Sequence, residues 1–220
     1  MPGKNIMPFC GKPLIAWTIE AALACNFLDR VIVSTDSEEI AEIAGNYGAE
    51  VPGLRPRELS LDNSSAIDVY IYLWEKLFAK AKSDPVPFVV LQPTSPLRTT
   101  EDINIAVKLF HEKKADSVIS VSEASHPPVW AKKIDENGIL KDYFKTQDSL
   151  ANRQQIPVAY MPNGAVFIIK KELVSTKRSY YSEKTYPYLM PFERSLDIDN
   201  IWDFRIAEFI MKFHLNDKLK

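Results

Sequence analysis

Apolar positions along this chain follow two alternating rhythms. From Leu14 to Asn26 they recur at helical spacing, and the next run, Arg30-Val31-Ile32-Val33-Ser34-Thr35, is short and β-branched, as a strand requires. Asp36, with Glu39 three residues on, predicts the cap of a helix through Ala44. Ala49 to Leu54 predicts a second short strand, and Ala66 to Ala81 a helix with a strongly apolar face. Phe88-Val89-Val90-Leu91 reads as a buried strand, ended by Pro93 and Pro96, which cannot continue a ladder. Thr100, followed by Glu101 and Asp102, predicts a capped helix to Lys114, and Ser117 to Val121 is strand again. Strands alternating with helices at this pitch imply an α/β fold, a mostly parallel sheet flanked by helices.

The rhythm then breaks. Val129 to Ile134 and Ile139 to Phe144 flank Asn137-Gly138, a strong short-range hairpin signal, so a β-hairpin excursion leaves the main sheet here. The series resumes at Ala165-Val166-Phe167-Ile168-Ile169 and closes with a helix from Ile201 to Phe213. At the front, Met1-Pro2-Gly3-Lys4-Asn5 is loop-like, and the first helix arrives with no strand before it. A doubly wound fold normally begins on a strand, whose following loop and helix make the first phosphate site.

Composition adds bounds rather than chemistry. The 220 residues, 46% hydrophobic and 25% charged, suit one globular domain spanning 1–220, with 125–160 as a subregion. A formal charge of −2 provides no basic field, so nucleic acid is not an expected partner. No apolar run reaches membrane-spanning length, and Cys10 and Cys25 lack metal-ligand spacing. A cytoplasmic protein with no membrane partner is the expectation.

The candidate chemistry gathers at two places. Gln92, Thr94, Ser95 and Arg98 put an amide, two hydroxyls and a guanidinium where a strand stops, and ligands of open α/β sheets sit outside the carboxyl ends of strands. Asp197 and Asp199, two apart on an extended segment, point to one side and offer oxygens to Mg2+. Asp199 could instead cap the last helix, and the two roles are compatible. Lys4, in the loop feeding the first helix, can reach a triphosphate.

Read in order, Pro2-Gly3-Lys4-Asn5 before Gly11-Lys12-Pro13-Leu14, Ser34-Thr35-Asp36-Ser37, Leu91 through Arg98, Arg153-Gln154-Gln155-Ile156-Pro157, Pro162-Asn163-Gly164 and Asp197-Ile198-Asp199 resemble the acylneuraminate cytidylyltransferases. The resemblance implies a nucleotide-diphosphosugar-transferase-like fold and a homodimer formed through the hairpin excursion. It implies the reaction of CTP with a nine-carbon 2-keto sugar acid, giving the CMP-sugar and pyrophosphate. By resemblance Lys4, Asn5, Arg55, Ser65 and Thr94 contact the nucleotide, and Lys4, Asp197 and Asp199 are catalytic, the two aspartates holding Mg2+. Gln92, Arg153, Asn163, Phe167, Tyr180 and Tyr181 are the residues it places at the sugar acid.

Three positions depart from the family pattern. Ala66 stands where relatives often carry a hydroxyl, and Ser65 is equally placed to cap the helix beginning there. Phe167 replaces a common tyrosine, and Met161 occupies a position that can be arginine. Both make the sugar pocket less polar, through drift or because the substrate is another nonulosonic acid, such as legionaminic acid. Relatives also carry a strand and an Ala-Arg-Gly-Gly-Ser-Lys-Gly-like loop before the segment matching Pro2. Met1 is therefore expected to be an internal methionine, and a catalytically impaired homologue keeping fold and dimer contacts is the competing reading.

Overall fold

The computed structural model describes residues 1–61, 63–78, 87–144 and 152–217, with side chains to Phe213. Its elements are β1 (Pro8–Phe9), β2 (Lys12–Pro13), α1 (Leu14–Leu23), α2 (Glu38–Asn46), α3 (Ala66–Phe78), β3 (Phe88–Val90) and α4 (Thr100–Glu112). Then come β4 (Ser117–Glu123), β5 (Lys132–Ile134), β6 (Leu140–Asp142), β7 (Tyr160–Ile169), α5 (Lys171–Ser175), β8 (Thr185–Leu189) and α6 (Ile201–Asp217). The caps shift by one residue from expectation. Ser37 accepts from Ile40 N to open α2, and Thr99 forms a capping box with Asp102 to open α4. The expected end of the α3 helix at Ala81 lies outside the described residues.

The central sheet has the order β3-β7-β4-β8. Strand β7 runs antiparallel to β3 and to β4, while β8 is parallel to β4. Three strands thus share a direction and β7 opposes them, a mixed sheet within the expected α/β architecture. The chain leaves β4 at Glu123, makes the hairpin excursion, and returns at Tyr160, the partner of Glu123. A return at the end just left, with no crossover, forces an antiparallel neighbour. The excursion pairs Lys132 with Asp142 and Ile134 with Leu140, around Gly138 at φ +77°.

Helices cover both faces. Ile103, Ala106, Val107 and Phe110 of α4 pack on Val118, Val166 and Ile168, and α3 and α5 cover Phe88, Val90 and Ile169 on the other side. A third cluster joins α1 to α6 through Phe9, Leu14, Ile198, Phe204 and Ala207.

The expected strands over 30–35 and 49–54 reduce to one parallel bridge, Ile32 to Glu50. Their side chains suit a strand, but a ladder needs neighbours. Among the described residues β3 pairs with β7 alone. Between β3 and Val31–Val33 lies a cleft of about 710 Å3, with Ile15, Ile19, Val31, Val33, Val89 and Leu91 among its walls.

Candidate active site

The site is built around an irregularity in β7. Ile119 pairs with Phe167, and Val121 with Pro162, so Ser120 alone opposes residues 163–166. Such a bulge strands backbone groups that must find other partners, and it re-aims side chains. Ala165 N donates to Asn163 Oδ1 (3.1 Å) and Val166 N to Ser120 Oγ (2.8 Å). The carbonyls are met by the turn that follows β3. Asn163 O accepts from Ser95 Oγ, Gly164 O from Gln92 N, and Ala165 O from Arg98 Nε at 2.6 Å. Three successive carbonyls thereby clasp residues 92–98 against β7.

Gly164 sits at φ +70°, and a Cβ there would collide with the Gln92 amide, which lies directly over it. Gln92 itself is exposed. Asn163 is buried, and its Nδ2 donates to Ser195 Oγ at 3.0 Å, so its amide is committed to holding the bulge. Arg98 departs from the expectation that its guanidinium faces a ligand. It is 3% exposed and turned inward, because the orphan carbonyl of Ala165 needs a donor.

The same turn positions the aspartates. Ile198 N donates to Thr94 O at 2.9 Å, and the Ile198 side chain is buried among Phe9, Leu14 and Leu97. With Ile198 pointing inward, Asp197 and Asp199 fall on the opposite side, half-buried and exposed respectively. Lys4 arrives from the chain's other end, donating to Ile198 O at 2.8 Å and lying 3.4 Å from Asp199 Oδ1. Among the described residues two buried side-chain oxygens lack a hydrogen-bond partner, Asn5 Oδ1 and Asp197 Oδ1. An orphaned carboxylate oxygen beside an exposed second carboxylate is a donor set that fits Mg2+. No described cluster supplies three His, Cys, Asp or Glu ligands, so the remaining positions would fall to water and substrate oxygens.

Asn5 and Arg55 both line the cleft beside β3, near Ser34, Thr35 and Asp36, which form its polar wall. Arg55 is held by Ser60 Oγ (2.9 Å) and by Asp36 (3.5 Å). Ser65 Oγ accepts from Ile67 N in the first turn of α3, so the serine caps its helix. Phe167 and Tyr180 stack edge to face at 5.8 Å, next to Tyr70. Burial raises the Tyr70 and Tyr180 hydroxyls above the usual tyrosine range. Tyr181 is exposed, and Arg153 is an exposed partner of Glu123 at 3.5 Å.

Sequence reasoning missed Ser120, Thr18 and the pair Asp102–Arg194. Asp102 is 1% exposed and accepts from the Tyr188 hydroxyl (2.7 Å), Arg194 Nη2 (3.0 Å) and Thr99. Burial would raise its carboxyl, but hydrogen bonds from Arg194, Thr99 and Tyr188 outweigh that and hold it below the usual carboxylate range. The spacing of Thr99 and Asp102 carried a signal for this. Ser120 carried none, since a bulge leaves no mark on the opposite strand.

A turn at the carboxyl end of a sheet strand, an oxygen pair on an extended segment and a lysine beside them thus meet at one end of an α/β scaffold. The fold is similar to that of the CTP complex of CMP:2-keto-3-deoxy-manno-octonic acid synthetase, which superposes with TM-score 0.67 at 13% identity, over 97% of this chain and 93% of that one. The family model described as Cytidylyltransferase matches residues 1–215, and the chain belongs to that family. Among relatives, CMP-N,N'-diacetyllegionaminic acid synthase of Legionella pneumophila is 38% identical over 97% of this chain and 91% of its own length. The N-acylneuraminate cytidylyltransferase of Escherichia coli is also 38% identical over 93% of this chain, which spans about half (47%) of that longer protein.

Proposed function

We propose that the protein transfers CMP from CTP to a nonulosonic, sialic-type sugar acid and releases pyrophosphate. The anomeric hydroxyl oxygen forms the new bond to the α-phosphorus, its proton passes to solvent, and the bond to pyrophosphate breaks. Such chemistry asks the protein for positioning and charge rather than for a nucleophile. The observation that carries the reading is the convergence of Lys4 and Thr94 on Ile198, which puts a cation, a hydroxyl turn and two carboxylates at one point. Lys4 faces the phosphates, Asn5 and Arg55 hold the nucleotide from the wall of the cleft, and Gln92 with Arg153 orients the sugar acid. Asp197 and Asp199 hold Mg2+, which when bound neutralises phosphate charge and polarises the phosphoryl oxygen.

A sugar acid with a deoxy, methyl-bearing end fits this chain best. Phe167 offers an apolar edge against Tyr180, and the Legionella relative is named for a legionaminic acid derivative. A homodimer joined through residues 125–160 is part of the same reading. The test is an assay with CTP, Mg2+ and a panel of nonulosonic acids, comparing the wild type with Asp197→Asn. Formation of a CMP-sugar and pyrophosphate, strongly reduced in Asp197→Asn with folding retained, is expected. Silence across the panel would sink the reaction, and full rate in Asp197→Asn would sink the metal assignment.

A further inference from the structure

We propose that Arg98 is a positioning residue for this site, one that touches no substrate but fixes the register in which the site forms. The proposal rests on the cytidylyl-transfer reading for its kinetic consequence, though not for its structural one. The guanidinium is buried and spans three elements at once. Nε donates to Ala165 O in the β7 bulge (2.6 Å), Nη1 to Thr18 Oγ1 on α1 (3.1 Å), and Nη2 to Gln92 O at the head of the turn. One rigid plane thus sets the spacing between the bulge and the turn on which Gln92 and Thr94 are carried.

Its burial is costly. The guanidinium is pushed down from the usual arginine range by burial, and the charge of Asp102 opposes that push. Asp102 is already bound by Arg194, Tyr188 and Thr99, so Arg98 is buried with its donors on two carbonyls and a hydroxyl rather than on a carboxylate. Apolar packing commonly matches or exceeds a buried ion pair in stability, so stability alone gives little reason for this arrangement. What an arginine supplies here, and neither a lysine nor a leucine can, is a planar fork with donors at fixed separations.

The consequence follows the chain of contacts. Gln92 O held by Arg98 fixes the start of the turn, with the Gln92 amide over Gly164 at one end and Thr94 O holding Ile198 N at the other. Loss of the fork should loosen both ends while α4, anchored by its own capping box and apolar face, stays as it is.

Arg98→Lys keeps the charge and removes the fork. Amide hydrogen exchange in the substrate-free protein should show protection at Gln92 N and Ile198 N falling about tenfold, with α4 unchanged. In the assay the KM for the sugar acid should rise about tenfold, the cost of a small misplacement. Thr18→Val, which removes one acceptor and preserves shape, should shift both readouts in the same direction by less, and it decides the matter if Arg98→Lys does not fold. Protection lost uniformly across the sheet, or a fall in apparent kcat with unchanged KM, would mean that Arg98 merely stabilises, and the proposal fails. If the wild type makes no CMP-sugar, the reaction reading fails by itself and exchange alone judges Arg98.

Discussion

Lys4 Nζ donates to the carbonyl oxygen of Ile198, so the first turn of the chain is fastened to the carboxylate segment 194 residues later. The lysine is only a quarter exposed at its side chain, whereas Asp199 is open, so the ammonium is held in place while the carboxylate paired with it stays accessible to solvent. Lys4→Met should lower cytidylyl transfer about 100-fold, the size of losing one donor aimed at developing charge. Its Tm should fall by no more than about 4 °C, since exposed pairs contribute ~0–1 kcal/mol. Turnover and calorimetry on the same preparation separate the two effects.

Gly164→Ala attacks the site from below. The new methyl group meets the Gln92 amide, and a non-glycine residue at φ +70° costs about 1–2 kcal/mol. The expected result is a higher KM for the sugar acid with an unchanged KM for CTP, and a modest loss in urea-unfolding stability. An unaltered sugar-acid KM would remove Gln92 from the substrate contacts.

Asp102→Asn should destabilise the protein by about 3 kcal/mol at pH 7, because a buried carboxylate is withdrawn from Arg194 and Arg98. The sign with pH is fixed by the depressed carboxyl. Its folded pKa lies below its unfolded value, so its contribution is complete above the ordinary carboxylate range and is lost as pH falls through the lower, folded value. Urea unfolding of the wild type and variant should therefore converge as the solution is acidified below about pH 4. A constant gap across that range would mean that Asp102 does not titrate between the two states.

Ile134, Ile139, Leu140, Tyr143 and Phe144 are all exposed on the hairpin excursion, a concentration of apolar surface that calls for cover. Sedimentation should give twice the chain mass, and Ile134→Asp with Leu140→Asp should shift it to the monomer while leaving helical circular dichroism unchanged. A wild type that sediments as a monomer at micromolar concentration would remove this surface from the dimer. The part of the excursion between 145 and 151 lies outside the described residues.

Much of this architecture was legible in the chain, because apolar rhythm and turn residues act locally. The helices at Leu14, Ala66, Thr100 and Ile201, and the hairpin at Asn137-Gly138, follow directly from spacing. Strand β8 did not, since Pro187 argues against a strand. Its place at the sheet edge is what tolerates a residue with no N–H. Residues 30–35 failed in the opposite sense, with strand-like side chains but only one bridge to a neighbour. At the site, the motifs named Lys4, Asp199 and Gln92, but the contact of Lys4 with Asp199 and the seat of the Gln92 amide over Gly164 emerge only from the fold. The inward turn of Arg98 could not, because it answers a backbone carbonyl exposed only once β7 bulges.

The cleft between β3 and Val31–Val33 also divides the molecule energetically. On one side β4 and β7 are laced together with helices on both faces, and on the other α2 and residues 30–55 lean mainly on α1 through Ile15, Ile19 and Ala44. Among the described residues no ladder joins β3 to Val31–Val33, and such a boundary is where a protein opens without unfolding completely. The α2 lobe should then act as a separate cooperative unit, breathing at a lower free energy than the sheet and carrying Arg55 with it. Anything bound in the cleft and touching both Asn5 and Arg55 would be felt first as a slowing of that motion.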